Sequence, residues 1–362
     1  MSSKIGLMDE NVAKLKGGPK VFMGRLKEAL EKKGIYDGEN FEKWLNLSFR
    51  KIPNYVLEKK DNCEIIIRFD GIWNDSLIPS IRYFDKTKNF IDLMLFKRIN
   101  KVILDNYELS DKVIYQSKFS KFTIEKLLFE RFGVENRNKK SIIIYNGVDL
   151  EKFKPMPQCK TGKNFPNILI SHRLIPFKRA HQSVEIIKKL KEIYPNLKVH
   201  VVGGGIKNPY HLNQDTKKHF IKEVEKNGLM NYYEFYGHIE PNKLPEFYNK
   251  CDFMLNLSYA DPCPNVVVEA IACGLPVVAP NTGGISELVR CKDLLVEENI
   301  NMNEFQSRFN YKDLPIAPPE LYVKVIKNTV ENLEKYSQIM RKTAEENYDI
   351  SEVAGKYIDF IN

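Results

Sequence analysis

One stretch of the chain decides the fold: Asp261–Glu287, which reads DPCPNVVVEAIACGLPVVAPNTGGISE. An apolar strand precedes it, a helix is predicted from Asn265, and another strand follows the Gly-Leu-Pro turn. Asp261 and Glu269 are eight residues apart, and the two prolines between them keep the pair off a common helix face. We therefore expect Asp261 to project from a loop and Glu269 from the following helix, toward the same crevice.

Apolar strands and amphipathic helices alternate on both sides of this stretch. The pattern predicts an α/β protein with two doubly wound parallel sheets in series, because alternating strands and helices form parallel sheets that are covered on both faces. The polar, proline-bearing segment after Asp149 predicts the domain linker. We expect domains at 1–155 and 156–345, with ligands at the carboxyl ends of the strands and a central cleft between the facing sheets.

Charge is distributed unevenly along the chain. The 362 residues carry a formal net charge of +9, and residues 1–155 account for most of it, with 30 basic and 22 acidic side chains. This balance invites a nucleic-acid interpretation, but no recognised module of basic and aromatic residues supports it. We expect no nucleic-acid partner. The basic half suits another polyanion, such as a phosphate-bearing lipid, an acidic glycan or an anionic membrane surface.

Cysteine usage and hydropathy bear on location. The six cysteines are scattered without a Cys-x-x-Cys pair, which favours a reducing compartment. No signal-like or membrane-spanning apolar segment is evident. The sequence therefore predicts a cytoplasmic protein that can contact a membrane surface peripherally.

The start of the helix after Asp261 has the chemistry of an anion site. Amide groups around Pro264, Asn265 and Val266 lack partners inside a helix and suit a phosphate. Glu269, within that helix, can accept a pair of vicinal hydroxyls such as those of a ribose. The alternative is an ordinary surface helix with a solvated glutamate.

These motifs resemble those of the retaining glycosyltransferases of the GT-B fold, in glycosyltransferase family 4, also called glycosyl transferases group 1. That family has an E-x7-E motif followed by E-A-x-A-x-G-x-P-V-V-A and a G-G-x-x-E turn. The resemblance implies two Rossmann-like domains, with a last helix, 346–362, crossing back to the N-terminal domain. It implies that Glu269 holds the donor ribose and that Asp261 contacts the transferred sugar, although aspartate stands here for the family's glutamate.

A second segment, Ser171–Arg179, resembles the family's R-L-x-x-x-K-G sequence. Arg173 and Lys178 would then neutralise the diphosphate that leaves the donor, because fixed cations stabilise charge that develops on phosphate oxygen. Arg179 replaces the family's glycine and either adds a third cation or begins the next helix. The chain has no Asp-x-Asp sequence, so we expect no metal and no cofactor apart from the nucleoside diphosphate sugar as donor substrate.

Glycine loops are predicted to complete the donor site. By the resemblance, Gly17 and Gly18 approach the donor diphosphate, where glycine suits close backbone contact. Further members of the predicted donor site are Gly204, Gly237, His238 and Ile239, the last three forming a wall against the nucleobase. Ordinary tight turns are the alternative for the glycine loops.

Asp70 is the candidate in the N-terminal half, which contains no histidine. It follows an apolar strand, and its carboxylate could orient or deprotonate an acceptor hydroxyl. A turn-forming Asp-Gly dipeptide is the alternative.

Together, the motifs predict a retaining, metal-independent glycosyltransferase that moves a sugar from a UDP- or GDP-sugar to a hydroxyl of a glycan or lipid-linked acceptor. Two alternatives stay open: a nucleotide-sugar epimerase of the same fold, and a non-catalytic protein that binds nucleotide sugars or glycans.

Overall fold

The protein forms two structural units. The computed structural model describes residues 3–8, 18–71, 89–130, 132–135, 138–160, 162, 164–175, 178–205, 216–298 and 317–362. Unit 1 contains the described residues up to Asp149 together with Asn347–Asn362, and unit 2 contains the described residues from Leu150 to Glu346. The chain therefore enters unit 1 twice.

Unit 1 is built on a five-stranded parallel sheet in which spatial order follows chain order. Its strands are β1 (Ile5–Leu7), β2 (Lys43–Leu47), β3 (Glu64–Phe69), β4 (Lys112–Tyr115) and β5 (Lys140–Ile143). Its helices are α1 (Gly18–Lys32), α2 (Asn54–Leu57), α3 (Asn89–Leu109) and α4 (Lys118–Phe122), and α4 continues as the π-helical segment Thr123–Phe129.

Strand β2 is not predicted by the sequence pattern, and a buried polar residue explains why. Asn46 is fully buried, and its side-chain amide donates hydrogen bonds to the carbonyls of Leu47 and Arg50. A polar residue in a short strand breaks the apolar run that would identify it. The sheet needs β2 because it pairs with β1 on one side and β3 on the other.

The last helix, α12 (Ile350–Ile361), belongs to unit 1. Asp349 caps it, with its carboxylate accepting from the amides of Ser351 and Glu352. The backbone amide of Val148 donates to the Tyr348 carbonyl over 2.8 Å, and Ile350 donates back to Val148 over 3.0 Å. These bonds join the end of the N-terminal segment to the start of α12, which also packs against α1.

Unit 2 contains a six-stranded parallel sheet in the order β11-β10-β9-β6-β7-β8. Its strands are β6 (Asn167–Ser171), β7 (Lys198–Val202), β8 (Tyr233–Gly237), β9 (Phe253–Leu255), β10 (Val277–Pro280) and β11 (Leu295–Val296). Its helices are α5 (Ser183–Ile193), α6 (Thr216–Lys226), α7 (Leu244–Lys250), α8 (Asn265–Ala272), α9 (Ile285–Val289), α10 (Pro319–Glu331) and α11 (Leu333–Asn347).

The strand order of unit 2 fixes where a ligand site can form. From β6 the chain builds outward through β7 and β8, and it then returns to build β9, β10 and β11 on the other side. The loops after β6 and β9 therefore diverge at a topological switch point, which is where open α/β sheets bind ligands. Within the described ranges, no helix combines the length and the apolar character that a bilayer crossing requires.

Candidate functional site

The loops after β6 and β9 are joined by an ion pair between Lys178 and Asp261. Both side chains are 13% exposed, so the pair is partly shielded but still reaches solvent. Because β6 and β9 are neighbours at the switch point, the contact spans the crevice where the sequence predicts a ligand. The structure thus brings together two residues that are 83 positions apart in the sequence.

Two opposing influences act on the ammonium of Lys178. Burial, with the positive charge of Arg173 as a second cause, lowers the pKa of Lys178 below its usual range. The Asp261 carboxylate in contact with it favours the charged form. Arg173 itself is exposed. The two predicted cations therefore differ, because Lys178 is largely buried beside a carboxylate and Arg173 faces water.

Arg179 is not a third cation for a ligand. Its side chain is fully buried, donates to the Leu257 carbonyl, and pairs with both carboxylate oxygens of Glu298 at 3.1 and 2.8 Å. The hydroxyl of Tyr322 donates to the same carboxylate over 2.6 Å. The guanidinium is thus directed into the protein and away from the crevice.

Arg179 does not begin helix α5 either. Its φ is 54°, in the left-handed region, and α5 starts four residues later at Ser183. The left-handed conformation explains why a glycine suits this position in the resembled motif, because glycine adopts it without strain. In this chain the buried ion pair holds an arginine there instead.

Glu269 lies on α8 and is only 3% exposed. Its Oε2 accepts a hydrogen bond of 2.7 Å from the hydroxyl of Tyr248, which the sequence pattern had not singled out. Nothing in the sequence marks Tyr248, because an aromatic residue on a short amphipathic helix is usually a core residue.

The start of α8 has no side-chain cap. The Pro264 carbonyl accepts from the amides of Val267 and Val268, which places the Asn265 and Val266 amides ahead of the first intrahelical bonds. Pro264 and Asn265 are buried, whereas Val266 is half-buried. The helix start thus has the arrangement of backbone amides that suits an anion.

The paired glycines after β10 hold the Asp261 loop. The Gly284 amide donates to the Asp261 carbonyl over 2.9 Å, and a Cβ on Gly284 would overlap the Pro262 carbonyl. Gly283 has a φ of 63° and lies against the same loop. The G-G turn therefore permits a backbone approach that any side chain would prevent.

In the loop after β7, the close approach falls on Gly203 rather than on Gly204. Gly203 has a φ of 140°, and a Cβ there would overlap the His172 carbonyl, whereas a Cβ on Gly204 would meet open space. Gly203 also donates to the Gly237 carbonyl over 2.6 Å. Gly204 accepts from the Leu174 amide over 3.0 Å, so the loop is fixed to the segment that carries Arg173.

The remaining predicted donor-site residues lie at two other places. After β8, Gly237 has a φ of 73°, His238 is exposed and Ile239 is half-buried. In unit 1, Gly18 is the exposed first residue of α1, and Gly17 lies outside the described residues.

Asp70, at the end of β3 in unit 1, forms an ion pair with Arg68. Their side chains are 8% and 1% exposed. Arg68 also donates to the Tyr357 hydroxyl over 2.9 Å and to the side-chain oxygens of Gln116 and Asn146. This arrangement gives Asp70 a fixed partner, and it links β3 to α12, β4 and the segment after β5.

In the part of the chain that the structure describes, no group of three or more histidine, cysteine, aspartate or glutamate side chains is arranged to hold a metal ion.

Comparison with known proteins agrees with this arrangement. Residues 154–312 match the family described as glycosyl transferases group 1. The matched segment is thus similar to glycosyl transferases group 1. It contains Arg173, Lys178, Asp261 and Glu269, which follow β6 and β9 in the chain.

Curated relatives share part of the chain. It is 27% identical over 150 residues to a phosphatidylinositol N-acetylglucosaminyltransferase subunit of Arabidopsis thaliana, covering 41% of this chain and 31% of that protein. It is 29% identical over 157 residues to the D-inositol 3-phosphate glycosyltransferase 2 of Catenulispora acidiphila, covering 40% and 35%. The chain thus matches about a third of the length of these relatives.

Solved structures match over nearly the whole chain. HepE of Anabaena, solved with UDP and glucose, superposes with a TM-score of 0.63 at 18% identity and covers 99% of this chain and 98% of that one. The sucrose-phosphate synthase of Thermosynechococcus elongatus gives a TM-score of 0.64 at 17% identity, covering 97% and 78%. The protein therefore has the GT-B fold, as predicted.

Proposed function

We propose that this protein is a glycosyltransferase that moves a sugar from a nucleoside diphosphate sugar, UDP- or GDP-linked, to a hydroxyl of a glycan or lipid-linked acceptor. The observation that carries the proposal is the Lys178–Asp261 contact across the switch point of the unit 2 sheet, in the segment similar to glycosyl transferases group 1. A cation held at this place can stabilise the leaving diphosphate, and a carboxylate can accept a hydrogen bond from a sugar hydroxyl.

The leaving group determines the role of the cations. When the bond between the sugar and the diphosphate breaks, negative charge grows on phosphate oxygen, and a fixed cation in a partly dry site stabilises it strongly. Lys178 is largely buried and is held in place by Asp261, while the exposed Arg173 can move onto the phosphates as they bind. At the start of α8, the residues after Pro264, namely Asn265 and Val266, add backbone amides.

The carboxylates and the glycine loops would recognise the sugar, the ribose and the base of the donor and support its diphosphate. Asp261 accepts from hydroxyls of the transferred sugar, and Glu269 accepts from the ribose. Gly204 brings backbone groups near the diphosphate, and Gly237 with His238 and Ile239 forms a wall against the base.

The reaction we propose is retaining and metal-independent. The acceptor oxygen bonds to the anomeric carbon on the face from which the diphosphate departs, the bond to the phosphate oxygen breaks, and the acceptor proton passes to the leaving phosphate. The two cations and the helix start supply the charge stabilisation that a divalent ion would otherwise give. We expect the rate of transfer to be unchanged by EDTA.

For the acceptor, we propose an anionic molecule bound by unit 1. The excess of basic residues lies in the first 155 residues, and the two curated relatives are named for a phosphatidylinositol and an inositol 3-phosphate. Asp70 would orient the acceptor hydroxyl, and a peripheral contact with an anionic membrane would follow from the same charge. Cosedimentation with phosphatidylserine vesicles, lost at high salt and absent with phosphatidylcholine, is the expected result.

One screen tests the proposal directly. The thermal stability of the protein is measured with UDP, GDP and ADP, and hydrolysis of the sugars of any stabilising nucleotide is then followed without acceptor. We expect UDP or GDP to raise the melting temperature and the matching sugar to be hydrolysed slowly. Release of an epimer would favour the epimerase, binding without turnover would favour a non-catalytic protein, and no stabilisation by any nucleotide would overturn the proposal.

Asp70→Asn tests the acceptor role separately. We expect transfer to fall while slow donor hydrolysis without acceptor continues. A variant with the full rate of transfer would remove Asp70 from the mechanism.

A further inference from the structure

The hydrogen bond to Glu269 comes from a residue that no motif contains. Tyr248, on α7, is 1% exposed and donates from its hydroxyl to Oε2 of Glu269 over 2.7 Å. Two helices of unit 2, α7 and α8, thus meet through side chains at one buried carboxylate.

The direction of this bond is fixed by chemistry. Burial and the neighbouring Glu269 charge raise the pKa of Tyr248 well above its usual range, so the phenol keeps its proton and donates to the carboxylate. A carboxylate that is 3% exposed needs such a donor, since an unsatisfied buried charge is costly.

We propose that Tyr248 is a positioning residue for the recognition of ribose. By holding Oε2, it sets the rotation of the Glu269 carboxylate and thereby the direction in which the group meets the vicinal hydroxyls of a ribonucleotide. This inference rests on the proposed function, because it assigns the ribose to Glu269. The ligand class that follows is a ribonucleoside diphosphate, selected over its deoxy analogue.

The variant Tyr248→Phe tests this assignment, because it removes one oxygen and keeps the ring. Tyr233→Phe is the matched control: Tyr233 is also buried in unit 2, at 4% exposed, and its hydroxyl is within 3.0 Å of the Ser183 hydroxyl, away from Glu269. Calorimetry with UDP and with 2′,3′-dideoxy-UDP, repeated with the guanosine pair if GDP is the ligand, measures the dissociation constants.

We expect Tyr248→Phe to weaken UDP binding roughly tenfold, the effect of one hydrogen bond to a charged group, and to leave 2′,3′-dideoxy-UDP binding unchanged. The control should bind both nucleotides like the wild type. In turnover of the UDP-sugar, KM should rise and kcat should stay near the wild-type value, because the ribose contact is the same before and during the reaction.

The outcomes separate the two proposals. If the wild type binds neither nucleotide pair, the proposed function fails. If the wild type binds UDP and Tyr248→Phe binds it equally well, or loses the ribo and dideoxy nucleotides alike, the positioning role is overturned. Should Tyr248→Phe fold poorly, the wild type still tests the inference, because a UDP affinity no higher than that for 2′,3′-dideoxy-UDP would overturn it.

Discussion

Each unit pairs a basic with an acidic side chain at or beyond the carboxyl end of a parallel strand, yet the two pairs differ in what surrounds them. Arg68–Asp70 in unit 1 is 1% and 8% exposed, and its guanidinium also bonds to Tyr357. Lys178–Asp261 in unit 2 is 13% exposed at both ends.

The difference separates a cation whose donors are engaged inside the protein from a cation that a ligand can reach. Arg68 uses its donors on protein oxygens from several elements, and Phe22 lies against its guanidinium at 4.2 Å from the ring centroid. The ammonium of Lys178 pairs with the Asp261 carboxylate and retains contact with water. A ligand phosphate can therefore join Lys178 at little cost, whereas it would have to break a buried network to reach Arg68.

The largest effect is expected when the Arg68–Asp70 ion pair of unit 1 is broken. Arg68→Met should lower the free energy of unfolding of unit 1 by about 3–5 kcal/mol, because it leaves the Asp70 charge buried without its partner. Both tryptophans of the chain, Trp44 and Trp73, precede Asp149, so tryptophan fluorescence in guanidinium chloride reports on unit 1. The double variant Arg68→Met/Asp70→Asn should recover part of the loss, and a loss below about 1 kcal/mol in the single variant would show that the pair is not structural.

The second largest effect is expected when the Lys178–Asp261 ion pair of unit 2 is broken. Lys178→Ala should lower hydrolysis of the donor sugar by about 100- to 1,000-fold, the size seen when a group that stabilises developing charge is removed. Tryptophan fluorescence should report unit 1 unfolding as in the wild type. Lys188→Ala, which removes an exposed lysine paired with Glu185 on α5, should keep the wild-type rate. Near-full activity of Lys178→Ala would contradict the assigned role.

A third prediction concerns the loop after β7, which is bonded to the segment that carries Arg173. Gly203→Ala should cost about 1–3 kcal/mol of stability, since the new methyl group would overlap the His172 carbonyl and occupy a strained φ. Gly204→Ala meets open space and should stay within about 0.5 kcal/mol. Unfolding of unit 2, followed by circular dichroism, checks both, and equal effects would mean that the loop tolerates a side chain at either position.

The smallest expected effect is a dependence of the stability of unit 2 on pH. Burial lowers the pKa of His172 to about 3, with the Lys178 charge as a second cause, so the folded state keeps this ring neutral while the unfolded chain binds a proton near pH 6.5. Stability is therefore lost as the pH falls below 6.5. Between about pH 7 and pH 5 the wild type should lose about 1–2 kcal/mol more than His172→Gln. Parallel pH profiles of the two proteins would show that His172 does not titrate in this way.

Local sequence rules predict the strand and helix alternation well because most buried strands here are continuous apolar runs. They fail where a polar residue is satisfied inside the sheet, as Asn46 is in β2. The sequence pattern predicts a terminal helical region with one break near Tyr348, and the structure adds another at Asn332 between α10 and α11. A single non-helical residue between two amphipathic segments leaves too little pattern to detect.

Site residues can be predicted from sequence only where chemistry and motif coincide. Asp261 and Lys178 stand in motifs, and the structure brings them together. The partners that decide what a charge does are distant in sequence: Glu298 is 119 residues from Arg179, and Tyr248 is 21 residues from Glu269. No periodicity encodes such pairs, so the buried role of Arg179 and the contact of Tyr248 become visible only in the folded chain.

The return of the chain to unit 1 has a consequence in time. Arg68 is separated from its partner Tyr357 by 289 residues. At a synthesis rate of about 5–20 residues per second, Tyr357 is synthesised roughly 15–60 seconds after Arg68. During this interval the guanidinium is hydrated or lacks one of its partners, so unit 1 begins to be synthesised before unit 2 but can complete its folding only after it.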